Sequence, residues 1–146
     1  MEANELTVKS EKEAVPALHI LGAEDDASLR TLEGLFFSRL GVAFELVENG
    51  GQGLELLRQD LDRFNAVVSD RDMPGIKGEE FLSEVKKMKP DIITALITGR
   101  QYDESEIEEL RKAGVDHYVY KPYSLDTIGI LVGKMKETLA AQHSNE

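Results

Sequence analysis

The run Ala66-Val67-Val68-Ser69-Asp70-Arg71-Asp72-Met73-Pro74-Gly75 decides how this 146-residue chain folds. It opens as a nearly continuous apolar stretch, closes on acidic residues, and is followed by Phe81, Leu82, Val85 and Met88 at helical spacing. A strand without polar alternation is covered on both faces, as in parallel sheets flanked by helices. The same strand-then-helix pattern recurs on either side. Upstream, a strand over 17–21 precedes a helix whose face carries Leu29, Leu32, Leu35, Phe36 and Leu40 and which Gly41 closes. A strand over 42–47 then precedes a helix carrying Leu54, Leu57 and Leu61. Downstream, 92–97 leads into a helix with Ile107 and Leu110, and 117–120 into one with Ile128, Leu131, Val132, Met135 and Leu139.

Strict alternation of strand and helix predicts an α/β fold: an open, doubly wound, five-stranded parallel sheet with right-handed crossovers and helices on both faces. Phe44-Glu45-Leu46 alternates and suits an edge strand, whereas 66–68 and 92–97 suit central ones. The strand count excludes a closed eight-stranded barrel. In open sheets of this kind ligands sit outside the carboxyl ends of the strands, at the switch point.

Composition narrows the function. The 28 acidic and 17 basic residues leave a net charge of -11, with none of the basic footprint that nucleic acid or an anionic membrane requires. Lys86, Lys87, Lys89, Arg111 and Lys112 fall at the ends of predicted helices, where cations complement the helix dipole. The absence of cysteine excludes disulfides, thiolate zinc sites and cysteine nucleophiles. No apolar stretch is long enough to span a bilayer and residues 1–14 hold no apolar signal core, so a cytoplasmic location is expected. The length suits one domain, expected over 16–140, with a polar arm over 1–15 and a polar tail over 141–146. Output must then come from another protein or from domains outside this chain.

The strand ends carry the chemistry. Strand one ends at Glu24-Asp25-Asp26, strand three at Asp70-Arg71-Asp72, strand four at Thr98-Gly99 and strand five at Lys121-Pro122. Carboxylates crowded into one crevice repel and raise one another's pKa unless a cation joins them. A hard divalent cation such as Mg2+ takes oxygen ligands of this kind and commonly phosphate oxygens as well. Glu24, Asp25 and Asp70 supply about -3 and Mg2+ with Lys121 about +3, so an incoming phosphoryl group meets a neutralised site. A carboxylate can attack phosphorus and form an acyl-phosphate there. Asp26, just before Ala27, is better explained as a helix cap. His19 reads as a packed ring, and no histidine pair has metal-ligand spacing. Gly50, Gly51 and Gly53 lack the lysine and hydroxyl of a phosphate loop and read as a flexible strand-to-helix turn.

These motifs, in this order, resemble the receiver domain of two-component response regulators. The resemblance rests on Leu18 to Asp25, on Ala66 to Gly78, on Ile97-Thr98-Gly99 and on Tyr118-Val119-Tyr120-Lys121-Pro122-Tyr123. It implies a flavodoxin-like arrangement with strand order 2-1-3-4-5, and Asp70 as acceptor of a phosphoryl group from a histidine kinase or a histidine phosphotransfer protein. It further implies Mg2+ held by Glu24, Asp25, Asp70 and the Asp72 backbone carbonyl. Thr98 and Lys121 would then hold phosphoryl oxygens, next to a cis Lys121-Pro122 bond. Tyr118 matches the switch aromatic, and a downstream protein would dock on the fourth helix, fifth strand and fifth helix. A homodimer is compatible with this reading. Gly22-Ala23, Ser69 and His117 depart from the family pattern without removing a reactive group.

Asp72 and Arg100, each two residues beyond a site residue, are expected to pair across the mouth and set how readily water attacks the acyl-phosphate. Three other functions compete. A degenerate receiver would act as an unphosphorylated interaction module. A haloacid-dehalogenase-type phosphatase shares the spacing of Asp70 and Asp72, but there the acidic metal pair follows the lysine, and this chain lacks residues for a substrate cap. A nucleotide-binding flavodoxin-like domain would need a phosphate cradle that no loop offers free of the acidic cluster.

Overall fold

The computed structural model describes residues 15–144. Strands β1 (His19–Ala23), β2 (Ala43–Val47), β3 (Ala66–Asp70), β4 (Ile93–Thr98) and β5 (His117–Tyr120) form one parallel sheet in the order β2-β1-β3-β4-β5. They alternate with α1 (Ala27–Arg39), α2 (Gly50–Gln59), α3 (Gly78–Met88), α4 (Glu104–Ala113) and α5 (Leu125–Ser144). This is the expected flavodoxin-like α/β fold, with the strand order reversing between β1 and β3.

The sheet separates two cores. Ile20, Ala66, Val68, Ile93, Ala95 and Ile97 meet Phe37 of α1 and the buried face of α5, which includes Ile128, Leu131 and Met135. Leu21, Val67 and Leu96 meet Leu54 and Leu57 of α2, Phe81, Leu82 and Val85 of α3, and Leu110 of α4. Every residue of β3 and β4 is buried, as their apolar runs require. Leu110 is the one buried residue of α4. At the amino end of the sheet Lys86 Nζ donates to the Ile92 carbonyl at 2.6 Å and to Asp116 Oδ2 at 2.7 Å, tying α3 to the strands on that side.

Several expected boundaries and faces differ. The first strand lies two residues later than 17–21 and takes in Gly22, which fits against β2 where a side chain could not: a Cβ there would stand 2.6 Å from Leu46 Cδ2. The buried residues of α1 are Glu33 and Phe37, while Leu35 is 59% exposed. Leu61 lies past the end of α2 and is exposed. Gly50, Gly51 and Gly53 are not a flexible turn but the first turns of α2, capped by Asn49, whose side chain accepts the Gln52 N–H at 2.8 Å. A Cβ on Gly50 would stand 2.4 Å from Ile76 Cγ2 and one on Gly53 2.6 Å from Phe81 Cζ, so these glycines let α2 close on α3. The helix α5 continues past residue 140 to Ser144, with Gln142 Nε2 donating to the Asp91 carbonyl at 2.8 Å. The expected arm over 1–15 lies, Val15 apart, outside the described residues, as do residues 145–146 of the tail.

Candidate functional site

The loops at the carboxyl end of the sheet are drawn together by bonds that extend strand pairing past the strands. The Arg71 N–H donates to the Ile97 carbonyl and the Lys121 N–H to the Thr98 carbonyl, each at 2.8 Å. The start of α3 reaches the end of β3 because residue 78 is glycine: a Cβ there would stand 2.3 Å from the Asp70 carbonyl oxygen. The Gly78 N–H instead donates to the Arg71 carbonyl at 3.0 Å. After β1, Arg30 Nη1 holds the acidic turn by donating to the carbonyls of Glu24 and Asp25 at 2.8 and 3.1 Å. Asp26 caps α1 as expected, its Oδ1 accepting the Leu29 N–H at 2.9 Å.

Glu24, Asp25 and Asp70 are thereby brought into one cluster, each offering a carboxylate oxygen within 4.8 Å of the others. Glu24 and Asp70 are buried, 1% and 3% exposed, and Asp25 faces solvent. Lys121 Nζ lies 2.5 Å from Asp70 Oδ1, and the Asp72 N–H donates to Asp70 Oδ2 at 3.1 Å. Thr98 is buried at the end of β4, and the Lys121-Pro122 bond is cis. Ser69, a departure from the family pattern, keeps its hydroxyl satisfied by donating to the Asp70 carbonyl at 2.9 Å.

The charges are out of balance. Burial pushes Glu24 up to about 7; the Asp26 N–H on Oε2 opposes this and the neighbouring Asp70 charge adds to it. Its Oε1 is buried with no hydrogen-bond partner. Burial raises Asp70 too, against the pull of the Lys121 ammonium. Burial would lower Lys121, but its bond to Asp70 and the surrounding carboxylates hold it above its ordinary range. Three clustered carboxylates, one of them with an orphaned buried oxygen, fit a hard cation with oxygen ligands, and Mg2+ suits this donor set.

One expected pairing is not made. Asp72 and Arg100 do not pair: Asp72 Oδ1 bonds Arg71 Nη1 at 2.9 Å, and Arg100 bonds Glu106 while stacking 5.3 Å over the Tyr102 ring. Each arginine is engaged by carboxylates close to it in sequence, Arg71 by Asp72 and Glu79 and Arg100 by Glu106. Tyr118 stands 37% exposed on β5, edge-on to Tyr120.

The sequence reading passed over Glu33. It is 1% exposed, its Oε2 has no partner, and burial followed by the Glu24 and Asp70 charges pushes its carboxyl up to about 8. Tyr123, edge-on to Phe36, has a buried and unpartnered hydroxyl that burial and the Glu33 charge push further up. The signal in the sequence was spacing: Glu33 lies four residues from both Leu29 and Phe37, on the inward face.

Comparison with known proteins shows the family. A family model described as the response regulator receiver domain matches residues 20–132. The chain is 28% identical over 129 residues to the transcriptional regulatory protein QseB of Escherichia coli O157:H7, covering 88% of this chain and 58% of that one. It is 30% identical over 111 residues to the response regulator MprA of Mycolicibacterium vanbaalenii, covering 76% and 47%. It therefore spans about half the length of these curated relatives. Among solved structures, a CheY-like receiver domain protein of Methanospirillum hungatei superposes with a TM-score of 0.74 at 26% identity, covering 90% of this chain and 100% of that one. The phosphatase and nucleotide-binding readings find no support among these relatives. With the matched segment running from β1 into α5 and enclosing the acidic cluster, Thr98 and Lys121, this chain belongs to the response regulator receiver domain family.

Proposed function

We propose that this receiver domain is a phosphorylation-dependent switch: Asp70 accepts a phosphoryl group from a histidine kinase or histidine phosphotransfer protein, assisted by Mg2+ at Glu24, Asp25, Asp70 and the Asp72 carbonyl. The observation that carries the reading is the convergence of the buried Asp70 with Glu24, Asp25 and Lys121 at one end of the sheet. Bound there, Mg2+ would offset the negative charge that otherwise repels a phosphoryl group.

The chain's own groups do the rest. A carboxylate oxygen of Asp70 bonds to phosphorus as the donor's P–N bond breaks and its electron pair leaves with the imidazole. The Asp72 N–H, already on Asp70 Oδ2, keeps the carboxylate plane fixed during attack. Lys121, freed from Asp70 as the carboxylate loses charge, pairs with a phosphoryl oxygen, and Thr98 donates to another. The domain thus assists its own phosphorylation and its later hydrolysis without acting on a separate substrate.

The new contacts favour one arrangement of a two-state molecule, and Tyr118 turns inward from its exposed position in that arrangement. The downstream protein docks on α4, β5 and α5, where a cleft of about 480 Å3 is lined by Tyr118, Tyr120, Pro122, Thr127, Ile130 and Lys134. Its setting is intracellular, beside the kinase; no described helix is long and apolar enough to cross a membrane. Incubation with acetyl phosphate or a phosphorylated kinase tests the reading. Mg2+-dependent incorporation, lost in Asp70→Asn, is expected. No incorporation by the unaltered chain would leave an unphosphorylated interaction module.

A further inference from the structure

The proposed switch depends on the Thr98 hydroxyl, and that hydroxyl is already engaged. The Arg100 N–H donates to Thr98 Oγ1 at 3.0 Å, and Tyr102 Oη lies 3.4 Å from the same atom. Tyr102 belongs to none of the motifs that mark the family. Its ring packs against the core shared by α2, α3 and α4, and its polar tip alone reaches Thr98. On the ring lies the Arg100 guanidinium, 5.3 Å from the centroid, and Arg100 is bonded to Glu106. Glu106 belongs to the first turn of α4 and closes its capping box. It donates its N–H to Asp103 Oδ1 at 2.8 Å and accepts the Asp103 N–H on Oε1 at 3.2 Å. An unbroken set of contacts therefore joins the Thr98 hydroxyl to the start of α4.

A threonine hydroxyl has one proton to give and two lone pairs to fill. The Arg100 N–H fills one. If Tyr102 donates into the other, the Thr98 proton remains for an acceptor in the crevice. If Tyr102 accepts, that proton is taken up and Thr98 has nothing to offer a phosphoryl oxygen. We propose that Tyr102 is a positioning residue: by donating into Thr98 Oγ1 it directs the Thr98 proton to the phosphoryl site, and through Arg100 and Glu106 it couples that event to the first turn of α4. The inference rests on the reading of Asp70 as phosphoacceptor. The 3.4 Å separation exceeds the roughly 2.7–2.8 Å of a settled O–H···O bond, which leaves the pair room to tighten when Thr98 donates onward, since hydrogen bonds in a chain polarise one another. Coupling of this kind is reciprocal: a partner that rearranges the start of α4 changes phosphoryl affinity by the factor by which the phosphoryl group changes the partner's.

Tyr102→Phe removes the hydroxyl and keeps the ring, its packing and the Arg100 stack. The probe is beryllium trifluoride with Mg2+, which occupies a phosphoacceptor carboxylate without turnover. Tyr102→Phe is expected to weaken its binding about 2- to 10-fold, the range for one neutral hydrogen bond. In a Thr98→Ala background the same substitution should change nothing. Amide exchange in 104–107 should respond to the probe in the unaltered chain and lose that response in Tyr102→Phe. Unchanged probe affinity in Tyr102→Phe, or an equal loss with and without Thr98, would overturn the positioning role. An exchange response that persists in Tyr102→Phe would overturn the coupling. Failure of the unaltered chain to bind the probe would instead remove the phosphoacceptor reading, and this inference with it.

Discussion

Lys121 Nζ stands 2.5 Å from Asp70 Oδ1, so the carboxylate proposed to be phosphorylated already carries its counter-ion. Replacing Lys121 by Met leaves a buried carboxylate without that cation. Stability in Mg2+-free buffer at neutral pH should fall by about 1.5–3 kcal/mol, the value of a hydrogen bond to a charged group. Mg2+ should narrow the gap by supplying positive charge to the same oxygens. Urea unfolding with and without Mg2+ checks both, and equal stability of the two proteins would mean that the ion pair contributes nothing.

Glu33 should make the protein less stable as pH rises. Its folded pKa, about 8, lies above the ordinary 4.5, so the folded state keeps a proton that the unfolded state has released. The stabilisation is complete below about pH 4.5 and is lost as pH climbs through about 8. Between those limits the group contributes a slope of up to about 1.4 kcal/mol per pH unit. Glu33→Gln should flatten the metal-free stability profile by that amount. A profile with undiminished slope in the variant would assign the effect to other groups.

Mg2+ affinity should rise with pH up to neutrality and then level off. Glu24 must be ionised to hold the metal, and its pKa near 7 means that below neutrality Mg2+ competes with a proton. The expected dependence approaches tenfold per pH unit below about 7. Titration calorimetry in buffers of differing ionisation enthalpy should detect proton release that Glu24→Gln abolishes.

Two glycines in helices should respond oppositely to alanine. At Gly53 the added Cβ meets the buried Phe81 ring at 2.6 Å, and overpacking of about 1–3 kcal/mol outweighs the gain in helix propensity. At Gly133 nothing lies within 4 Å, so Gly133→Ala should stabilise by about 0.5–1 kcal/mol. Thermal melts of the two variants moving in the same direction would contradict this.

Strand β5 lies over the residues its pattern indicated, β3 starts where its apolar run starts, and β4 is shifted by one residue along the chain. Hydropathy located these strands because both faces of the inner ones are covered. It misplaced β1 because Gly22 sits in the strand for its small volume against Leu46, which no hydropathy pattern records. On α1 the pattern holds for Phe36 and Leu40, which pack against the core, and fails at Leu35, which is exposed, while the buried Glu33 carries no apolar signal to mark it. The cluster of Glu24, Asp25 and Asp70 was legible because strand ends of a doubly wound sheet meet wherever the topology holds. The Asp72 and Arg100 pairing was not, because it depended on side-chain directions, and Arg71 and Glu106 offered closer partners.

The five helices do not share the core equally. Five residues of α5 are buried and four of α3, against Leu110 alone in α4. Detaching α4 from the sheet forfeits about one leucine's worth of transfer free energy, on the order of 1.5–3 kcal/mol. A motion of that size lies within reach of a single added phosphate's contacts, while the same motion of α5 would begin to unfold the protein. The weakest-rooted helix is thus the one a signal can displace while the rest of the molecule stays intact.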